Sequence, residues 1–315
     1  MNITGDEKFK KVGEIHCKSF KERLEKEIDV DHHDLGFLYS LSCVAGYKLT
    51  GNIEMRDTAL KAADKLITRY KELGEFIQAW GAIDDSNSYR LIIDCMLNLP
   101  LLYWASEITG NSKYADIAKK HAATSAKTII REDSSTYHTY YFDLETGAPK
   151  KGVTAQGYSD DSAWSRGQSW GIYGFPLSYI YTKNSEYLDK AEKLTNFFLN
   201  RLPDDYIAYW DLIFTEGNEQ ERDSSAVSIA VCGMLEILKH KESEYSEYYK
   251  NAVSGIMRSL WENYSTKDTP NSNGILLHAV YGKPQNGGVD ECCIWGDYYY
   301  MEALMRLSTD WKLYW

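Results

Sequence analysis

LGFLYSLSCVAGY, residues 35–47, follows Asp34 and reaches Lys48 without a charged side chain. Wound as a helix, the stretch is apolar on every side, and such a helix must be buried on every side. The pattern recurs. CMLNLPLLYWAS (95–106) follows Asp94, GQSWGIYGFPLSYIYT (167–182) follows Arg166, and SSAVSIAVCGML (224–235) follows Asp223. A shorter segment, YYYM (298–301), follows Asp297. Each run opens at a charged residue and then turns apolar all round.

Segments of another kind alternate with these. RDTALKAADKLITRYKEL (56–73) puts Leu60, Ala63, Ile67 and Tyr70 on one stripe with charges opposite. Residues 7–28, 112–131, 185–202 and 245–264 do likewise, as amphipathic helices with one wet face do. TGN turns at 50–52 and 109–111 separate the two kinds. The chain therefore reads as an amphipathic helix followed by a buried one, repeated with a period of about 60 residues. That predicts an all-α fold of outer helices shielding inner ones, built as one domain over residues 1–315. It also predicts that Asp34, Asp94, Arg166, Asp223 and Asp297 gather at one rim. A β-rich excursion, residues 135–158 with a turn at 145–147, interrupts the helices and is expected to cover that rim. Residues 276–288, LLHAVYGKPQNGG, are expected to form a glycine-bearing loop there.

Composition narrows the function classes. The 315 residues are 43% hydrophobic and 26% charged, enough for a real core. The net charge of −11 leaves no basic footprint, so nucleic acid and anionic membranes are not expected as partners. The opening MNITGDEKFKKVGEIHCKSF has no apolar stretch of signal-peptide kind, and a cytoplasmic location is expected. Six scattered cysteines without a C-x-x-C pair are expected to be buried, reduced thiols. The seven histidines lack metal-ligand spacing, so neither a metal nor a cofactor is expected.

QGYSDDSAWSRGQSWGIYGF (156–175) gathers tryptophans, glycines, carboxylates and amides at the mouth of an inner helix. Tryptophan faces there either stack on sugars or fill the core. Arg166, opening an apolar helix, needs an anionic partner, either substrate or Asp160 or Asp161. Asp94 and Asp34 each read first as helix N-caps, with a catalytic carboxylate as the alternative. Asp223 reads as a cap with Ser224 and Ser225.

These residues, together with DHHDLGFLYSLS (31–42), IQAWG (77–81), RLIIDCMLNLPLLYWASEITG (90–110), SSTYHTYYFD (134–143), RDSSA (222–226) and IWGDYYYMEALMRL (294–307), resemble the unsaturated glucuronyl hydrolases of glycoside hydrolase family 88. The similarity runs through nearly the whole chain in one order. It implies an (α/α)6 toroid of twelve helices, here expected to lack its first helical hairpin. It implies hydrolysis that removes a 4,5-unsaturated glucuronic acid from the non-reducing end of lyase-generated oligosaccharides. Asp94 would be the general acid/base, its pKa raised by burial and a second carboxylate, and Asp34 the partner carboxylate. His138, Gln156, Trp164, Arg166 and Trp170 would line the sugar subsite, with His33 beside them. Lys283 and His278 are expected to meet the second sugar or its sulfate. The rival expectations are an unsaturated rhamnogalacturonyl hydrolase of pectin fragments, and an inactive sugar-binding form that dimerises through the face left by the missing hairpin.

Overall fold

The computed structural model describes residues 5–83, 85–217 and 219–314. Within these the chain divides into two compact units, one of residues 5–124 with 142–149 and 312–314, the other of residues 125–141 with 150–311. No helix among the described residues is long and apolar enough to cross a membrane.

The first unit alternates helices as the charge pattern predicts, but residues 35–47 are not buried on every side: Leu35, Gly36, Tyr39, Ser40, Cys43 and Val44 are buried, whereas none of residues 45–50 is. Outer helix α1 (Glu7–Glu25) leads to α2 (Leu35–Tyr39), which continues through one wide π turn (Ser40–Val44) into α3 (Ala45–Thr50). Then come α4 (Ile53–Ile67), α5 (Leu99–Thr109) and α6 (Ser112–Thr128). Both TGN turns work alike. Gly51 and Gly110 end their helices in the left-handed region, at φ 72° and 73°, where a side chain is strained. Asn52 Oδ1 then accepts from the backbone N–H of Glu54 and Met55, and Asn111 Oδ1 from that of Lys113, starting the next helix. Helix α2 packs on α4 and α5, and α4 also on α1.

The second unit holds α7 (Ser165–Thr182), α8 (Glu186–Leu199), α9 (Ser224–His240), α10 (Ser246–Asn263) and α11 (Ile294–Ser308). Every residue from Ser165 to Ser178 is buried, as an all-round apolar helix requires. Helix α9 packs on α7, α10 and α11. By contrast α8 buries Leu188, Ala191, Leu194, Thr195 and Phe198, the single stripe of an outer helix.

The β-rich excursion is present as strands Thr139–Phe142 and Pro149–Val153, neighbours in one sheet. One expectation needs correcting. Residues 276–288 are no loop: Ala279–Gly282 pairs antiparallel with Gly287–Glu291, with Val280 opposite Val289. The tip is a 3-10 turn, Lys283–Gln285, closed by Asn286 at φ 51°. Proline and glycine there shape a hairpin tip, not an irregular segment. Short strands Tyr70–Lys71 and Phe76–Ile77 form a further hairpin that sequence patterning does not reveal. All six cysteines are free thiols; five are buried, but Cys292 is exposed.

Candidate active site

In the first unit the candidate carboxylates are brought to one place by a helix crossing. Asp94 lies in a 3-10 turn (Ile93–Leu97) after the strand Arg90–Ile92, and Asn98 follows at the entrance to α5. Asn98 Oδ1 accepts from the backbone N–H of Phe37 at 2.6 Å, while its Nδ2 reaches the carbonyl of Asp94 at 3.4 Å. Gly36 permits this approach. A Cβ there would lie 2.2 Å from the Asn98 carbonyl oxygen and 2.5 Å from its Cα. The turns carrying Asp34 and Asp94 thus meet at Gly36 and Asn98. Both carboxylates act on Cys95, whose thiol burial pushes well up, with Asp34 and Asp94 adding to the effect.

Asp94 lies within its 3-10 turn, whose N-cap position is Ile92. Asp34 occupies the N-cap position of α2 without making a side-chain cap bond. Its carboxylate instead faces the buried histidines, 3.3 Å from His33 Nε2 and 3.6 Å from His32 Nδ1. Burial holds the His33 imidazole down at about 4, outweighing the pull of Asp34, so His33 is neutral near pH 7. The His32 ring is oriented by the backbone: Nδ1 accepts from Asp34 N–H at 3.2 Å and Nε2 lies 3.0 Å from the Asp29 carbonyl. Stacked on it at 4.2 Å, 4° from parallel, is Trp80, which remains 41% exposed. Buried Arg69 anchors this corner by donating to the Asp31 carboxylate and to the carbonyls of Asp31, Gln78 and Gly81. Trp80 is the residue that sequence reasoning missed. Its signal was an aromatic in the short loop IQAWG, already part of the resemblance.

The second unit gathers the other candidates. His138 Nε2 lies 3.1 Å from Gln156 Oε1, and its ring meets Trp164 edge-on at 5.1 Å. Gln156 Nε2 donates to the Tyr281 carbonyl. The Arg166 guanidinium covers the Trp164 ring at 4.4 Å. Asp211, wholly buried and also missed, accepts from Tyr158 N–H and Ser162 Oγ and so shapes the segment leading to Trp164. The Trp164 indole is buried, with no partner for Nε1 among the described residues.

One expectation changes here. Arg166 pairs with neither Asp160 nor Asp161 but with Asp223, at 3.0 Å, and also donates to Ser225 Oγ and the carbonyls of Val280 and Tyr281. A buried guanidinium needs a buried partner, and Asp160, fixed by Thr154 N–H, lies on the wetter side. Trp170 meets Tyr299 of α11 edge-on, a helix-packing contact. Asp223 caps α9 through Ser225 N–H as predicted, and Asp297 accepts from Ile275 and Leu276 N–H. Lys283 lies against the Glu221 carboxylate, and His278 against Asp290 at 2.6 Å.

Gly36→Ala tests the crossing. Since the Asn98 backbone cannot give way locally, about 1–3 kcal/mol of stability should be lost, with turnover falling further than stability because Asp34 moves. A thermal melt beside a turnover assay checks this; a variant matching the parent in both would rule the crossing out as the positioning device.

Known proteins place this arrangement. A model of Glycosyl Hydrolase Family 88 matches residues 1–309. The unsaturated chondroitin disaccharide hydrolase of Streptococcus pneumoniae is 53% identical over 309 residues, 98% of this chain and 78% of that protein. The unsaturated glucuronyl hydrolase of Bacillus sp. (strain GL1) is 41% identical over 315 residues, covering 99% of this chain and 84% of that one. The crystal structure of unsaturated glucuronyl hydrolase from Streptococcus agalactiae superposes with a TM-score of 0.97 at 50% identity, over 100% of this chain and 80% of that one. A mutant of that enzyme complexed with dGlcA-GalNAc6S matches at TM-score 0.86 and 46% identity, over 100% and 78%. The fold is accordingly the all-α (α/α)6 toroid class.

Proposed function

The chain belongs to glycosyl hydrolase family 88, and we infer from this together with its site that it is an unsaturated glucuronyl hydrolase. It removes 4,5-unsaturated glucuronic acid from the non-reducing end of glycosaminoglycan-type oligosaccharides left by lyases. The observation that carries the catalytic reading is the meeting of the turns that carry Asp34 and Asp94 at Gly36 and Asn98.

The chemistry is hydration of a vinyl ether. Asp94, half-buried, gives its proton to C4 of the double bond. Positive charge develops at C5 beside the ring oxygen, where a carboxylate is the fitting neighbour, and Asp34 supplies it. Water adds at C5, losing its proton to the Asp94 carboxylate, which restores the acid. The hemiketal opens and the remaining sugar leaves. Neutral His33 beside Asp34 leaves that carboxylate its charge, since a neutral imidazole can donate a hydrogen bond without cancelling it. In the first unit Trp80 offers an aromatic face for a sugar ring, and in the second unit Gln156, His138 and Trp164 Nε1 offer polar atoms.

Incubation with unsaturated chondroitin disaccharide should bleach the double-bond absorbance, while an unsaturated rhamnogalacturonan disaccharide stays unchanged. Decay of only the pectin-derived compound would transfer the chain to the rival activity, and decay of neither would leave it a sugar-binding form.

A further inference from the structure

Two buried histidines of the first unit each carry a ring nitrogen with no partner among the described residues, His33 Nδ1 and His121 Nε2. His33 is 1% exposed and His121, on α6, is 0% exposed, so bulk water serves neither. A buried polar atom left unpaired is costly, and each such atom needs a physical reason. The segment 76–79 brings both histidines to one corner. Ile77 N–H donates to His121 Nδ1 at 2.9 Å, and two residues on the Ala79 carbonyl accepts from His33 N–H at 3.0 Å. Burial, with the His33 ring adding to it, holds the His121 imidazole down at about 3, so it is neutral near pH 7.

The proton on each ring can be placed. A backbone N–H only donates, so Nδ1 of His121 is the bare nitrogen and its Nε2 carries the proton. Neutral His33 turns Nε2 to Asp34 Oδ1 at 3.3 Å. A carboxylate accepts there only from Nε2–H, which leaves His33 Nδ1 bare. His32 offers no substitute: its Nδ1 accepts from Asp34 N–H and its Nε2 lies at the Asp29 carbonyl. The two unpartnered atoms are therefore one donor and one acceptor.

We propose that His121 is a positioning residue for Asp34: its Nε2–H supplies the hydrogen bond that His33 Nδ1 lacks, directly or through one buried water, and so holds His33 in the tautomer that donates to the Asp34 carboxylate. This rests on the hydrolase reading above, in which Asp34 faces the positive charge developing at C5. The nitrogen of an imidazole that carries the proton is set by the bond the other nitrogen makes. Without His121 Nε2–H, His33 is free to carry its proton on Nδ1, which turns a lone pair toward Asp34 and releases the carboxylate. Asp34 acts as charge develops, so the loss belongs to kcat and not to KM.

Two substitutions separate the nitrogens of His121. His121→Asn keeps an acceptor for Ile77 N–H but puts nothing where Nε2–H stands, whereas His121→Gln places an amide N–H there and gives up the acceptor. Turnover of unsaturated chondroitin disaccharide, thermal melts and ring-nitrogen NMR shifts of the histidines compare them with the parent. In the parent, His33 should carry its proton on Nε2. His121→Asn should lower kcat about tenfold, the worth of one hydrogen bond to a charged group, with KM little changed and His33 moved to a mixture of tautomers. His121→Gln should recover most of that kcat although it melts lower. In a His33→Gln background, His121→Asn should cost kcat nothing further. Parental kcat in His121→Asn, losses in both variants that merely track their melts, or a parent with the His33 proton on Nδ1 overturns the proposal. A parent that leaves the disaccharide unchanged overturns the hydrolase reading and this role with it, and the ring shifts, read without substrate, tell that outcome from a missing bond.

Discussion

Asp94→Asn should cut kcat about 1,000-fold, within the range that a general acid/base supplies, while the unsaturated disaccharide still binds. The amide keeps the shape of the carboxyl but cannot deliver a proton to C4 or take one from the attacking water. Asp94 sits within a 3-10 turn whose N-cap position is Ile92, and asparagine keeps an acceptor oxygen of the same shape there. Stability should therefore stay near that of the parent, separating a chemical loss from a folding one. Rapid-mixing turnover, disaccharide titration and a thermal melt on the same preparation check all three. Full activity in this variant would remove Asp94 from the mechanism, whereas loss of binding together with turnover would make it a positioning group for the sugar.

The helical alternation was legible in the sequence because it is a one-dimensional signal. Charge-free runs such as 167–182 and 224–235 have only one way to satisfy water, and α7 and α9 bury them as the pattern requires, whereas the run closed by Lys48 ends in α3, which buries none of its residues. The local caps were legible for the same reason, since TGN carries its own turn chemistry. What joins distant positions was not legible. Arg166 sits near two aspartates in sequence, yet its partner is Asp223, 57 residues away. Burial selected the partner, and burial is set by the packing of α7 against α9. The approach of Gly36 to Asn98 was hidden likewise, because a glycine in a buried helix reads the same whether or not a backbone presses on it. Trp80 escaped because a lone tryptophan in a loop has no period. Its value lies in the His32 ring beneath it, which only the fold supplies. For Asp94 and Asp34, resemblance to a family supplied the roles that residue type left open between cap and catalyst.

Arg306→Met should cost the protein about 3–5 kcal/mol, the usual consequence of stripping the partner from buried charge. Arg306 lies in α11 with its side chain 4% exposed and bonds to two carboxylates that are each 1% exposed, Glu236 of α9 and Glu302. Tyr173 of α7 closes the network, donating its hydroxyl to Glu302 and accepting from Arg306 Nη2, both at 2.5 Å. One guanidinium thus ties together three inner helices. The pH dependence identifies the mechanism. Burial by itself would raise the Glu236 carboxyl, but the hydrogen bond from His240 and the charge and hydrogen bond of Arg306 outweigh it and hold the group at about 2. A carboxyl lower in the folded state than its ordinary 4.5 adds stability above that value and surrenders it as pH falls toward 2. Without Arg306 only His240 opposes burial, and the folded carboxyl moves up. The variant's deficit should then be largest at pH 8 and shrink toward pH 5, where a proton relieves the buried charge. Adding Glu302→Gln should recover part of the loss by removing a second stranded carboxylate. Denaturant unfolding across this range measures each step. A deficit below about 1 kcal/mol, within the range of an exposed ion pair, or one that does not change with pH, would show that the network is not what binds α7, α9 and α11 together.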